Sequence, residues 1–237
     1  MKAFRILRRF LILTLYTTSI VAEILLRKML YGADIHDAMR VRKRWARNLL
    51  RWVGVRMETE GEIPDFPCLI VSNHRSYLDP ILMLCDIDGY PVAKAELASW
   101  PVLGKGAMYS GILYLRRESS GSRVSIIRAM EEKVKEGFPV IIFPEGTTSG
   151  LTGTLPFKKG VFQLAAKADI PVVPVALVFA SEADYWVGTE GFLSHAGRRF
   201  KEKHIHVKVC YGPALRSDQP DLLLNEARAW IETRICS

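Results

Sequence analysis

His74 stands apart from the other four histidines because it follows the apolar run 69–71 and precedes Asp79 by five residues, in Asn73-His74-Arg75-Ser76-Tyr77-Leu78-Asp79-Pro80. On a continuous helix that separation points the two side chains apart. A reverse turn instead brings the carboxylate onto one imidazole nitrogen and leaves the other free to take a proton. The same residues also read as a helix start, with Asp79 as N-cap and Pro80 as the first helical residue. Other charged groups stand at the ends of apolar runs: Lys94 after 92–93, Arg116 and Arg117 after 112–115, and Glu145-Gly146-Thr147-Thr148 after 140–143. Taken singly, Arg117 reads as well as a solvated loop arginine, and Glu145 as a turn or helix-start carboxylate. A His–Asp base without a serine or cysteine nucleophile suits direct activation of a substrate hydroxyl, and the arginines with Lys94 suit a phosphate or another anion.

No G-x-S-x-G elbow, G-x-x-x-x-G-K-[ST] loop, G-x-G-x-x-G or H-E-x-x-H occurs, so nucleotide phosphates, zinc hydrolysis and an acyl-serine elbow lose ground. His36 and His195 lack evident partners, and His204 and His206 fall with Lys208 on the polar side of an alternating strand; all four read as surface residues, with metal ligation as the alternative.

The elements that must position these groups are legible as alternating patterns. Strands are predicted at 69–71, 92–93, 112–115, 140–143, 172–179 and 205–211, and helices at 80–85, 122–136, 160–168 and 220–235. Val124, Ile127, Met130 and Val134 fall on one helical face that ends at Gly137. The alternation predicts an α/β fold, a mixed and largely parallel sheet covered by helices on both faces. Ligand sites in such sheets lie outside the carboxyl ends of strands, so His74, Asp79, Arg116, Arg117 and Glu145 are expected to line one crevice.

The chain has 237 residues, 49% hydrophobic and 24% charged, with 33 Lys+Arg against 25 Asp+Glu. That composition excludes disorder, collagen, a coiled coil and a disulfide miniprotein. Residues 1–60 carry 13 Lys+Arg against five Asp+Glu, so the whole excess of +8 lies in the first quarter. A neutral body with a basic, apolar front end suits a membrane surface better than nucleic acid, whose binders line the folded domain with cations. Residues 10–26 contain one charge, Glu23, between Arg8-Arg9 and Arg27-Lys28, and read as a helix that spans or dips into a bilayer, with a cleaved signal peptide as the competing reading. Residues 36–55 read as a basic amphipathic helix, either at the acyl boundary or packed on the core. The domain organisation expected is therefore a membrane-anchoring helical segment at 1–57 and a catalytic domain at 58–237. Cys68, Cys85, Cys210 and Cys236 form no C-x-x-C pair and read as free thiols in a reducing compartment.

In order along the chain, these motifs resemble the glycerolipid acyltransferase family, in particular its 1-acylglycerol-3-phosphate acyltransferase branch. The N-H-x4-D block corresponds to residues 73–79, G-x-x-F-I-x-R is similar to 111–117, F-P-E-G-T is present complete at 143–147, and F-K-x-G resembles 157–160. Val173-Pro174-Val175 matches the family's V-P-V strand, and Lys94-Ala95-Glu96-Leu97 with Pro101 and Gly104 looks like its lysine-bearing segment. The resemblance covers about 60–215, and several blocks in one order are more specific than any single block. Arg116 stands where many phosphatidate-forming members carry aspartate, and Thr148 where they often carry arginine, which leaves the acceptor headgroup open.

The resemblance implies a membrane-associated O-acyltransferase of phospholipid biosynthesis, on the cytoplasmic face of a membrane, the inner one in a bacterium. A fatty acyl thioester on coenzyme A or acyl carrier protein would be attacked by the free sn-2 hydroxyl of 1-acyl-sn-glycerol 3-phosphate, giving phosphatidic acid. His74 would be the general base and Asp79 its orienting partner, with Lys94, Arg117, Glu145, Gly146 and Thr147 at the acceptor headgroup. No metal or other cofactor is implied, and acyl-CoA or acyl-ACP is a co-substrate. The alternatives are an acyltransferase for another lysolipid, such as a lyso amino-acid lipid, an acyl ester or thioester hydrolase, and a non-catalytic lipid-binding module.

Overall fold

The structure, a computed structural model, describes residues 2–99, 103–115 and 120–236. Its centre is a sheet of β1 (Val55–Glu60), β2 (Leu69–Ser72), β3 (Tyr90–Lys94), β4 (Leu113–Leu115), β5 (Val140–Ile142), β6 (Val172–Phe179) and β7 (Ile205–Tyr211), in the order β1-β7-β6-β2-β5-β3-β4. All neighbours are parallel except β6 and β7, which pair antiparallel with Phe179 opposite Val207. The carboxyl ends of β2 to β6 therefore share one edge, together with the amino ends of β1 and β7.

Helices before the sheet are α1 (Lys2–Leu11), α2 (Thr17–Tyr31), continuous with α1 through a π-helical turn, and α3 (Ile35–Val53). Those that follow are α4 (Asp79–Leu84), α5 (Leu103–Tyr109), α6 (Ser120–Lys135), α7 (Gly160–Ala168), α8 (Phe192–Arg199) and α9 (Pro220–Ile235). Alternate strand residues divide between two cores, as a two-residue side-chain period requires. Ile70, Val173, Val175 and Leu177 pack with α3, α4 and α8, whereas Leu69, Val71, Val172 and Ala176 pack with α6, α7 and α9. The mixed, largely parallel sheet with helices on both faces is the architecture expected from the sequence.

Strands β6 and β7 and helices α7 and α9 have the expected limits. Strand β1 was not expected: Val55–Glu60 reads V-R-M-E-T-E, and at an edge only its amino-terminal residue is buried, so its apolar content is too low to signal a strand. The anticipated boundary between 57 and 58 lies inside this strand. Helix α3 also differs from the reading at the acyl boundary. Ala46, Leu49, Leu50 and Val53 enter the core on the sheet, and Arg42 is buried with its guanidinium donating to the carbonyls of Gly89, at 2.7 Å, and Ser110. The apolar stripe of α3 has a protein partner, while its Arg44, Arg47 and Arg51 stay exposed.

The α1–α2 helix is stitched along its length to this body. Its inward positions Phe10, Leu13, Thr17, Ile20 and Ile24 recur at three- and four-residue steps. Arg9, buried, donates to the carbonyls of Phe200, Glu202 and Lys203 at 3.2, 2.7 and 2.9 Å. Trp45 Nε1 donates to Thr17 Oγ1 at 3.1 Å and Asn48 Nδ2 to Tyr16 Oη at 2.9 Å. On the outward side Phe4, Leu7, Leu11 and Leu15, then Leu26, Met29 and Leu30, are exposed. By length and composition, Lys2–Tyr31, with a mean hydropathy of 1.6 over its most apolar window, is long and apolar enough to cross a membrane.

Candidate active site

Strand β2 ends at Ser72, and Asn73 carries its ladder one step further with a side chain. Its Nδ2 donates to the Leu177 carbonyl at 2.9 Å and its Oδ1 accepts the Leu177 N–H at 2.8 Å, locking the turn to β6. In that turn His74 Nδ1 meets Asp79 Oδ2 at 2.7 Å. Asp79 is the first residue of α4, and Leu78 is its N-cap. The carboxylate points backward into the turn, where Oδ2 also accepts the N–H groups of Arg75 and Ser76 at 2.5 and 2.8 Å. The helix-start alternative thus gives way to a carboxylate that closes the 74–79 turn. With Nδ1–H donating to Asp79, the neutral imidazole keeps its lone pair on Nε2. Phe143, at the end of β5, stacks on the His74 ring at 4.3 Å and 21°, which limits the ring's rotation.

Glu145 is buried, and both carboxylate oxygens are taken. Oε1 accepts the His74 N–H at 2.7 Å and Oε2 the Leu155 N–H at 2.7 Å. Burial pushes the Glu145 carboxyl above the ordinary carboxylate range, against the pull of those two N–H groups. With one N–H on each oxygen, the carboxylate ties the 74–79 turn to Leu155. Gly146 adopts φ +75°, a left-handed conformation favouring glycine, and a Cβ there would collide with the Lys158 side chain. Thr147 is exposed beside it, and Lys94 is exposed at the end of β3 on the same sheet edge. Arg116 and Arg117 lie outside the described residues; β4, which precedes them, ends at Leu115 on that edge.

Sequence reasoning did not single out Arg75. Its guanidinium is 1% exposed and donates to the carbonyls of Ser149 and Gly153 at 2.9 and 2.8 Å, and its own carbonyl accepts the Trp186 N–H at 2.8 Å. The only sequence signal was its place beside His74. His195, expected at the surface, is buried with Ala196 on the inward side of α8, its ring edge-on to Tyr77 and its Nδ1 3.3 Å from the Tyr77 hydroxyl.

A family model described as acyltransferase matches residues 54–178, which include β2 to β5 and the whole 73–79 and 143–147 turns. The chain belongs to the acyltransferase family. Among relatives of this acyltransferase, a 1-acyl-sn-glycerol-3-phosphate acyltransferase of Brassica napus is 38% identical over 69% of this chain and 45% of its own length. A lyso-ornithine lipid O-acyltransferase of Pseudomonas aeruginosa is 31% identical over 79% of this chain and 76% of its own. A 1-acyl-sn-glycerol-3-phosphate acyltransferase of Neisseria meningitidis is 36% identical over 57% and 54%. The chain spans about half the length of the first and third of these. The crystal structure of the 1-acyl-sn-glycerophosphate acyltransferase PlsC from Thermotoga maritima superposes with a TM-score of 0.78 over 99% of this chain and 94% of that one, at 22% identity, a likeness of fold.

The acyltransferase offers no serine or cysteine poised on His74 among the described residues. Ser72 and Ser76 are fully buried. Cys68, Cys85 and Cys210 are buried free thiols, and burial raises Cys68 and Cys85 to about 12, so they stay protonated. Among the described residues no group of three or more His, Cys, Asp or Glu side chains could hold a metal ion. The chemistry legible here is a histidine base oriented by a buried carboxylate, open to a hydroxyl brought by a substrate.

Proposed function

We propose that this acyltransferase moves a fatty acyl group from an acyl thioester, on coenzyme A or acyl carrier protein, to the free sn-2 hydroxyl of 1-acyl-sn-glycerol 3-phosphate, forming phosphatidic acid. The observation that carries this reading is the His74–Asp79 pair with Nε2 left unbonded among the described residues and no protein nucleophile beside it. Nε2 takes the proton as the hydroxyl oxygen attacks the thioester carbonyl. The C–S bond then breaks, and the imidazolium gives its proton to the departing thiolate. Backbone N–H groups of the turns at this edge stabilise the oxyanion. Lys94, Arg117, Gly146 and Thr147 hold the anionic headgroup, and Glu145 acts through the His74 amide as a positioning residue.

The outward stripe of α1–α2 supports membrane association, which we place at the cytoplasmic face. Because that helix is bonded to the body near both ends and along its middle, it lies in the interface plane with its apolar side in the acyl boundary. The anchoring unit is then residues 1–31, and the catalytic body starts with α3.

A second reading, an acceptor with an amino-acid headgroup, is favoured by one observation. The Pseudomonas lyso-ornithine lipid enzyme matches over most of both chains. A panel of lysophosphatidate, lysophosphatidylglycerol and lyso-ornithine lipid, each offered with labelled acyl-CoA, decides between them. Phosphatidate as the main product supports the first reading, a strong preference for lyso-ornithine lipid the second, and acyl release without any acceptor contradicts both.

A further inference from the structure

Leu151, Val187 and Leu193 are exposed by 56%, 37% and 71% on two segments that the catalytic turn itself holds. Ser149 and Gly153, which flank Leu151, give their carbonyls to Arg75, and the Arg75 carbonyl takes the N–H of Trp186, the residue before Val187. Tyr77, in the same turn, packs edge-on against Trp186 and Phe192, the sequence neighbours of Val187 and Leu193. The two segments also touch, since a Cβ on Gly150 would sit 3.6 Å from a Val187 methyl. One residue of each pair is therefore fixed inward against the 74–79 turn while its neighbour turns an apolar side chain to the outside.

A single exposed leucine needs no explanation. Three such residues on segments tied to one catalytic turn form an apolar lip, and their surroundings say what covers it. On α8, Leu193 and Arg198 are both exposed, Arg198 paired with Glu190 at 2.7 Å, and the chain just past the helix carries Lys201 and Lys203. The carbonyls at 200–203 are bonded to Arg5 and Arg9, so this end of α8 abuts the first turns of α1, where Phe4 and Leu7 are exposed between Arg5 and Arg8. Arg5, Arg8, Lys201 and Lys203 have no carboxylate within ion-pair distance among the described residues. Beside the lip Arg198 and Arg199 are paired with Glu190 and Asp184. Past α8 the unpartnered Lys201 and Lys203, with Glu202 between them, join Arg5, Arg8 and the exposed Phe4 and Leu7 of α1, an apolar and cationic margin that matches the chemistry of a bilayer with anionic headgroups.

We propose that Leu151, Val187 and Leu193 form a second bilayer contact, separate from α1–α2, which seats the mouth of the His74 site in the headgroup region so that a lipid acceptor reaches Nε2 without leaving the membrane. This inference rests on the acyltransferase reading above. It predicts a loss confined to acceptors embedded in lipid. The full chain with Leu151→Glu and Leu193→Glu together is compared with wild type on long-chain lysophosphatidate in phosphatidylcholine–phosphatidylglycerol vesicles and on short-chain lysophosphatidate dissolved below its critical micelle concentration. Placing two charges where apolar contacts were lowers the vesicle rate about tenfold or more, while the rate on dissolved acceptor stays within about twofold. An unchanged vesicle rate, or an equal fall on both acceptors, overturns the proposal.

A second measurement does not depend on activity. A bimane label on Leu151→Cys, in a Cys236→Ser background, is quenched by lipids carrying nitroxides on their acyl chains, and the same label on Lys135→Cys at the exposed end of α6 is not. Equal quenching at both positions, or none at 151, refutes the contact. If wild type transfers acyl groups to neither acceptor, the acyltransferase reading fails while the quenching experiment still decides the lip.

Discussion

Replacing Asp79 with asparagine separates the charge of the carboxylate from its geometry. Oδ2 sits where three donors converge: His74 Nδ1–H, and the N–H groups of Arg75 and Ser76 at 2.5 and 2.8 Å. An acceptor must occupy that point, so the asparagine is held with its oxygen there and its amide nitrogen where Oδ1 now lies. Oδ1 is buried without a hydrogen-bond partner. The imidazole tautomer therefore survives, and the variant loses only the negative charge opposite the imidazolium that forms during transfer. Two unit charges about 4 Å apart interact by roughly 4 kcal/mol at an effective dielectric of about 20. The expected fall in kcat is thus about 10³-fold, with KM for both substrates little changed, because Asp79 touches neither. The unpartnered amide costs about 1–3 kcal/mol of stability. Steady-state acyl transfer in detergent micelles, with a thermal melt of the same sample, measures both. A variant within about tenfold of wild type in kcat refutes the reasoning that Asp79 acts through charge on His74.

The raised Glu145 carboxyl gives a signed pH prediction. A carboxyl held above its unfolded value keeps its proton longer in the native state, so its stabilisation is full below the unfolded value, near 4.5, and is lost as pH rises through the native one. The Glu145→Gln variant cannot titrate, so the Tm of wild type minus that of the variant declines with rising pH across this window; a flat or rising difference contradicts the burial account. Arg9→Met strips three carbonyls of their donor and is expected to cost about 3 kcal/mol in urea unfolding in detergent, with α1 becoming the first site of proteolysis. An unchanged midpoint and cleavage pattern would mean that α1 is not pinned there. Removing residues 1–31 is expected to leave a folded body that loses most of its vesicle flotation. Removing 1–54 also takes Ala46, Leu49, Leu50 and Val53 from the core, at about 1.5–3 kcal/mol for each large side chain, and abolishes the cooperative melt. A cooperative melt in the longer deletion would move the start of the catalytic body past α3.

The elements nearest the chemistry were legible because they carry local signals. Val172–Phe179 and Ile205–Tyr211 are apolar or alternating runs bounded by Gly, Pro or polar residues, and the His74, Lys94 and Glu145 turns fall directly after such runs. Sequence pattern also placed both helical layers. It could not say which of two apolar surfaces faces protein and which faces lipid. Helix α3 and helix α1–α2 are both amphipathic, and only the tertiary contacts of Leu49, Val53 and Arg42 tell them apart. Arg75 was not singled out, and Asn73 and Phe143 stood in the quoted motifs without a role, for a related reason. Their roles come from partners at 149–153, at Leu177 and at His74, and no spacing in the chain encodes those pairings. The backward turn of the Asp79 carboxylate was one of two conformations the motif allowed, since Asp before Pro satisfies both a cap and a loop closure.

The most direct test of the central claim is acyl transfer by His74→Ala beside wild type, with labelled acyl-CoA and lysophosphatidate in micelles and the products resolved by thin-layer separation. His74 Nε2 as the general base predicts a kcat at least about 10²-fold lower, with flotation on vesicles and the thermal midpoint close to wild type. Turnover near the wild-type rate in that variant would remove His74 from the reaction and with it the mechanism built on the His74–Asp79 pair.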